Sequence, residues 1–281
     1  MISPKLRFQG FPDYKTLALE NIAPLQRGFD LVVSKITGGK YPVVFSNGAL
    51  KNHNEYKVLG PGVVTGRSGT IGNVHFVNED FWPHNTSLWV TNFFGNDPKF
   101  IYYFYTKFDL SRFGTGSGVP TLNRNDVHKQ LAAIPSDVNE QIKIASFLSA
   151  IDRKISLLIK KYELLVKYRK GVMQKIFNQE IRFKDKVGKD FPKWNKVRLL
   201  DIADSTTGSS NRVDSSLVGQ YTFFDRSEDI RTSDKYLFDC EAIIVGGEGQ
   251  AFIPKYFVGK FDLHQRAYAI MNFKNSLGKF I

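Results

Sequence analysis

The segment that opens at Phe11 returns at Phe191, and from there the two copies keep step at an offset of 180 residues. Phe11-Pro12-Asp13-Tyr14 aligns with Phe191-Pro192-Lys193-Trp194. Leu19, Ile22 and Ala23 align with Leu199, Ile202 and Ala203, so both starts are expected to form the same short strand and turn. Further on, Tyr41-Pro42-Val43-Val44-Phe45 meets Tyr221-Thr222-Phe223-Phe224-Asp225. Val63-Val64-Thr65-Gly66-Arg67-Ser68-Gly69 meets Ile243-Ile244-Val245-Gly246-Gly247-Glu248-Gly249, and the register still holds at Phe81 and His84 against Phe261 and His264. Agreement of apolar and glycine positions without a gap over roughly 90 residues is the mark of a duplicated unit.

Two copies predict two like domains of mixed α/β (α+β) class with short, twisted strands. The polar residues between the matched positions differ: Arg67-Ser68 becomes Gly247-Glu248, and Lys51-Asn52-His53 becomes Arg231-Thr232-Ser233. One scaffold with two surfaces suits two readers of different ligands. The first copy runs on through Tyr102-Tyr103-Phe104 to a helix near Asn139, whereas the second stops at Ile281. Completing the period needs about 76 more residues, so the second domain is expected to be cut short.

Between the copies the pattern changes period. Ile144, Leu148, Ile151, Ile155, Leu158, Tyr162, Leu165, Val172 and Ile176 follow alternating steps of four and three, broken only at Arg169. This a/d heptad predicts a coiled-coil helix from about Val138 to Phe177, and its 3.5-residue period argues against a helix buried inside one globule. Asp137 with Glu140 three residues on predicts a capping box, and Lys167, Arg169, Lys170 and Lys175 suit the negative end of the dipole. Such a helix spans roughly 60 Å, more than one turn of B-DNA, and its apolar seam needs a partner helix. The expected organisation is a first recognition domain over 1–135, a spacer helix over 136–180 and a partial second domain over 181–281.

A formal net charge of +12 favours a polyanionic partner, nucleic acid first, over an inert solvated surface. Cys240 is the only cysteine, which excludes an intrachain disulfide and a cysteine-based zinc cluster. With no apolar signal core at the start and no stretch of membrane-spanning length, a cytoplasmic protein without membrane attachment is expected.

Catalytic patterns are thin. No G-x-x-x-x-G-K-[ST] loop occurs, and Gly66-x-x-Gly69-x-x-Gly72 fits a tight turn between strands better than a nucleotide loop. Asp13, Glu55 and Lys57 are the residue types of a metal-assisted nuclease, but the second copy has Lys193, Lys235 and Leu237 there. The histidines give no metal-ligand spacing, and His84 matched by His264 reads as a shared structural hydrogen bond rather than a base.

Several stretches closely resemble the target recognition domain of type I restriction-modification specificity subunits: Gly39-Lys40-Tyr41-Pro42-Val43, Ser46-Asn47-Gly48, Gly60 to Gly72, Phe81-Trp82-Pro83-His84-Asn85-Thr86-Ser87-Leu88, and Gly114-Thr115-Gly116-Ser117-Gly118-Val119-Pro120-Thr121-Leu122. Ile134-Pro135, Glu140-Gln141-Ile142, Ala145, Phe147-Leu148 and Ile151-Asp152 are similar to that family's central helix. The resemblance implies a non-catalytic subunit that reads a bipartite site in double-stranded DNA, one half per domain. It implies docking of methyltransferase (M) subunits that use S-adenosylmethionine, and of a restriction and motor (R) subunit that uses ATP with Mg; these cofactors belong to the partners and none is expected in this chain. Family members usually complete the second domain and add a second, antiparallel helix, and this sequence departs from them there.

Reading bases takes Arg, Lys, Asn or Gln at base edges, with other basic and hydroxyl groups on phosphates. The variable polar positions of the first copy supply Lys40, Asn47, Lys51, His53, Arg67, Ser68 and Asn85, with Arg124 beside the glycine-rich loop. Two other readings compete. One is a shortened regulatory protein that forms a homodimer through its long helix and competes with full-length subunits; the other is an enzyme acting alone, for which no acidic residue stands out.

Overall fold

The computed structural model describes residues 7–116, 120–248 and 252–281. Ser117, Gly118 and Val119 of the glycine-rich loop, and Gly249 of the second copy, lie outside the described residues. The chain divides into two units, Met1–Glu180 and Ile181–Ile281.

In the first unit β1 (Tyr14–Ala18), β2 (Leu25–Arg27), β3 (Tyr41–Phe45), β4 (Gly48–His53), β5 (Gly62–Gly66), β6 (Val74–Val77), β7 (Trp82–Pro83) and β8 (Ser87–Val90) lead into helix α1 (Pro98–Lys107). Then come β9 (Gly114–Thr115), β10 (Thr121–Leu122), a short helix α2 (Arg124–His128), β11 (Leu131–Pro135) and the long helix α3 (Val138–Phe177). The second unit holds α4 (Leu199–Ile202), β12 (Asp204–Thr207), β13 (Tyr221–Phe224), β14 (Arg231–Ser233), β15 (Phe238–Gly246), β16 (Lys255–Leu263) and β17 (Ala267–Met271).

The duplication is visible in the order of the sheet strands. In the first unit the sheets run β2-β8-β5-β6 and β4-β3-β7, and in the second one sheet runs β12-β17-β15-β16-β13-β14. Equivalent pairs share register: Val64 opposes Trp89 and Ile244 opposes Ala269; the parallel pair Val43 with Trp82 returns as Phe223 with Asp262. Even the ring pair Tyr41–Tyr56, at 4.9 Å between centroids, reappears as Tyr221–Tyr236 at 4.9 Å.

The inner residues of these strands bury because alternate positions face one side of each sheet. Val44, Val64, Val77 and Phe81 form a small core with Trp89 against it. Its counterpart contains Phe224, Ile244, Phe261 and Ala269. Val44 has become Phe224 while Trp89 has become Ala269, a compensating exchange that keeps the core filled. The first unit has a second, larger core on the other sheet face, where Leu19, Ile22, Val63, Leu88, Ile101, Tyr105 and Ile134 are buried. Ile101 and Tyr105 lie four apart on α1 and so share its inward side. Burying each such side chain is worth about 1.5–3 kcal/mol. The matching face of the second unit is only partly covered: Ile243, the counterpart of Val63, is buried, but where Leu88 is 1% exposed its counterpart Tyr268 is 47% exposed.

Two local expectations are corrected. Residues Tyr14–Ala18 are a strand because they pair antiparallel with β11, whereas residues 194–198 form no strand and the chain enters α4 instead. The capping box at α3 is absent. Asp137 does cap the helix, but through the Asn139 N–H at 2.8 Å, and Glu140 turns to the Arg7 guanidinium, a charged partner stronger than a backbone N–H. Beyond its first turns, in which Glu140, Gln141 and Ala145 are buried and Ile144 packs on the core, α3 is exposed, its seam residues Ile151, Ile155, Leu158, Tyr162 and Leu165 among them.

Candidate nucleic-acid interface

Strand β5 ends at Gly66, and the chain turns back to β6 through residues 67–73, where Gly69 and Gly72 take positive φ. Gly66 has to be glycine, since a Cβ there would lie 1.8 Å from the Thr70 carbonyl oxygen. This tight turn holds Arg67 and Ser68 at the sheet end. The backbone N–H groups of Arg67 and Ser68 both donate to the Thr86 carbonyl, at 2.9 and 3.2 Å, and the Arg67 carbonyl accepts from the Leu122 N–H at 2.7 Å. A bridge between Ser68 and Thr121 completes the join between the β5 turn and β10.

That join brings three arginines from distant parts of the sequence to one open cleft of about 410 Å³: Arg27 from the end of β2, Arg67 from the β5 turn and Arg124 from the start of α2, with Asn123, Asn125 and Thr115 beside them. Arg27 pairs with Asp30 at 2.9 Å, and the same carboxylate accepts from Asn85 Nδ2. Among the described residues neither Arg67 nor Arg124 has a carboxylate partner. The cleft therefore carries uncompensated positive charge, which draws in phosphate and presents guanidinium forks to base edges. His128, the last residue of α2, is held under the usual imidazole range by burial first and then by Arg124; its neutral Nε2 accepts the Leu25 N–H at 2.9 Å.

Of the residues expected at the surface, Arg67 and Arg124 share this cleft, Ser68 adjoins it, and Asn85 is tied to Arg27 through Asp30. Lys40, Asn47 and Lys51 are exposed outside its lining, Lys40 lying over the Tyr41 ring at 4.7 Å. His53 is a correction. It is 6% exposed, its Nδ1 accepts the Thr37 N–H at 3.2 Å, and its ring meets Trp82 edge-on, so it is a packed core histidine. Arg27, Asn123 and Asn125 were not singled out from the sequence. Arg27 did carry the signal, as a polar position that differs between the copies, with Thr207 at its counterpart.

His84 has the structural role expected. It is buried, its Nδ1 faces Thr86 Oγ1 at 3.0 Å and its Nε2 the Leu31 carbonyl at 3.1 Å, and burial lowers its pKa. The backbone N–H of His84 donates to Val44, as that of His264 donates to Phe224, both at 2.9 Å. Among the described residues no group of three or more His, Cys, Asp or Glu side chains is placed to hold a metal ion, and no helix is long and apolar enough to cross a membrane.

A family model for the type I restriction modification DNA specificity domain matches residues 13–166. The chain is 34% identical over 77 residues to the EcoDI type I restriction enzyme specificity subunit of Escherichia coli, a stretch covering 27% of this chain and 17% of that protein. It is 30% identical over 98 residues to the MjaVIII specificity subunit of Methanocaldococcus jannaschii, covering 33% of this chain and 23% of that protein. The aligned stretches thus span less than a quarter of these relatives. The fold is similar to a type I restriction-modification system S subunit from M. genitalium, with a TM-score of 0.62 and 16% identity over 98% of this chain and 77% of that one. It is also similar to an HsdS subunit from Thermoanaerobacter tengcongensis, with a TM-score of 0.51 and 14% identity over 97% of this chain and 78% of that one.

Proposed function

Because the chain belongs to the type I restriction-modification DNA specificity domain family, we propose that it is the sequence-reading, non-catalytic part of such a system, with each of its two units contacting one half of a bipartite DNA site. The observation that carries this reading is the meeting of Arg27, Arg67 and Arg124 in one cleft, with no carboxylate among the described residues on two of them. Arg67, with its backbone fixed on both sides, brings to the cleft a guanidinium whose two-donor fork suits guanine O6 and N7, while Arg124, Lys40, Lys51 and Asn47 serve phosphates and neighbouring bases, with Ser68 and Asn85 as polar contacts. The exposed α3 surface, with its basic C-terminal half, belongs to docking of methyltransferase subunits, to which a restriction and motor subunit adds. Adenine methylation with S-adenosylmethionine and ATP-driven cleavage are then the partners' chemistry.

The test is selection of bound duplexes from a random pool at fixed, near-physiological salt, with and without a methyltransferase subunit from the same locus. A gapped motif of two unlike halves supports the reading, and no enrichment under either condition rejects it. A second reading, in which the chain pairs with a copy of itself, is favoured by the exposure of Ile155 at 50%, Leu158 at 55% and Leu165 at 54% along one seam of α3. Its signature is a palindromic gapped motif and a dimer mass in solution.

A further inference from the structure

We propose that Arg226 and Arg266 are the guanine-reading pair of the second unit and that Glu248, bound to both, is the positioning residue that aims them; this deepens the reading that each unit contacts a DNA half-site and rests on it. The three stand 180 residues after Ser46, Ser68 and Thr86, on the same framework. The Gly247 N–H donates to the Arg266 carbonyl at 2.8 Å, as that of Arg67 does to Thr86 at 2.9 Å. The Arg266 N–H donates to His264 Nδ1 at 3.0 Å, as that of Thr86 does to His84 at 3.3 Å. A Cβ on Gly246 would meet Arg226 at 3.3 Å, where one on Gly66 would meet the Ser46 carbonyl at 2.9 Å. The charged set therefore stands at the sheet end that in the first unit carries Arg67.

Arg226 Nη1 donates to Glu248 Oε2 at 2.6 Å, and Arg266 Nη1 donates to the same carboxylate at 3.2 and 3.3 Å. The side chains are 51%, 47% and 56% exposed for Arg226, Glu248 and Arg266, and ion pairs so exposed add little to stability. What the network does is restrict two long side chains in orientation. Each arginine spends Nη1 on the carboxylate and, among the described residues, keeps its Nε–Nη2 edge, the two-donor edge that matches guanine O6 and N7. A contact that only neutralised phosphate needs no such aim, and a carboxylate beside it is a disadvantage. Among the described residues the first unit presents guanidiniums without a carboxylate at Arg67 and Arg124, so the two units offer different chemistry on one scaffold.

The experiment is selection of bound duplexes by the full chain and by its Arg67→Ala, Arg266→Lys, Arg266→Ala and Glu248→Gln variants, with thermal melts to verify folding. Arg67→Ala is expected to blur one half of the motif. Arg266→Lys, which keeps charge and loses the fork, is expected to lower preference for a guanine in the other half by about 5- to 160-fold while non-specific affinity and its salt dependence stay. Glu248→Gln is expected to lose the same guanine preference although non-specific binding tightens, since a negative charge has gone. The proposal is overturned if Arg266→Lys leaves the motif intact and Arg266→Ala weakens all sequences alike with a shallower salt slope, the behaviour of a phosphate contact. It is overturned too if Glu248→Gln raises affinity without changing the motif. A parent chain that selects no motif at all overturns the half-site reading, a result distinct from a motif that ignores position 266.

Discussion

Arg7 and Glu140 are 133 residues apart in the chain, yet the guanidinium lies side-on to the carboxylate, Nε to Oε1 at 2.8 Å and Nη2 to Oε2 at 3.0 Å. Glu140 is fully buried, and its hydrogen bond to Arg7 holds that guanidinium above its ordinary pKa. The same Arg7 Nη2 also donates to the Phe11 and Pro12 carbonyls, so one side chain fastens the arm before β1 to the first turn of α3. Arg182 repeats the arm contact on the Phe191 and Pro192 carbonyls, at 2.8 and 2.5 Å.

Glu140→Ala removes both charge-assisted bonds and is expected to destabilise the first unit by about 1.5–3 kcal/mol. Glu140→Gln, which keeps one acceptor, should cost less. Urea midpoints for the two variants check this, and 0.5 M salt should not reproduce the loss, because screening acts weakly on a buried carboxylate. Equal midpoints for Glu140→Ala and the parent chain would show that the bridge holds nothing.

His84 and His128 predict sensitivity to acid. Burial is the leading cause of the lowered pKa in each; a hydrogen bond to Leu31 partly opposes it at His84, and Arg124 adds to it at His128. A histidine whose folded pKa lies below the unfolded value binds fewer protons when folded. Its stabilisation is complete above the unfolded pKa near 6.5 and is lost as pH falls through that value toward the folded one. The melting temperature of the first unit should therefore drop between pH 7 and pH 5. His128→Gln, whose side-chain oxygen still accepts the Leu25 N–H, should flatten that drop, and an unchanged pH profile in this variant would exclude His128 as a contributor.

How far the fold was legible in the sequence follows from which forces set each part. The register of the repeat was legible because apolar and glycine positions fix pairing, and a slip by one residue would turn a strand inside out. The strand at β1 was not transferable to residues 194–198, since pairing with β11 makes it a strand and local pattern does not. Nor was the merger of two strands into β16. Asn78-Glu79-Asp80 break the strand between β6 and β7, with the Asp80 carboxylate accepting the Gly60 N–H at 3.0 Å, whereas Val258, Gly259 and Lys260 stay paired to β15. At the site, Arg67 and Arg124 were legible as basic residues near glycine-rich turns. The cleft was not, because the bond from the Leu122 N–H to the Arg67 carbonyl joins segments that no local signal links. His53 misled because its polar ring is spent inside the core.

Two glycines should respond in opposite directions to alanine. A Cβ on Gly66 meets the Thr70 carbonyl oxygen at 1.8 Å and that of Ser46 at 2.9 Å, backbone atoms that yield only if the β5 turn opens. Gly66→Ala is expected to destabilise the first unit and to weaken DNA binding together, by displacing Arg67. Gly171 lies in α3 with nothing within 4 Å of the added Cβ. Gly171→Ala should stabilise the helix by about 0.5–1 kcal/mol, because alanine loses less backbone entropy there. Circular dichroism at 222 nm on heating separates the two, and a neutral Gly66→Ala would contradict the tight turn.

Asp30 sets the charge of the cleft, since its carboxylate takes both Arg27, at 2.9 Å, and Asn85. Asp30→Asn keeps the size and a hydrogen-bonding group but leaves Arg27 uncompensated, so the cleft gains one net positive charge. Non-specific DNA affinity is expected to rise and its dependence on salt to steepen by up to about 0.9 in log–log slope if the freed arginine meets a phosphate. Adding Arg27→Ala to Asp30→Asn should return the slope to that of the parent chain. Fluorescence anisotropy with a duplex of unrelated sequence over 50 to about 200 mM salt reads this directly. If Asp30→Asn leaves both affinity and slope unchanged, Arg27 faces no phosphate and the arginine cleft does not form the DNA-facing side of the unit.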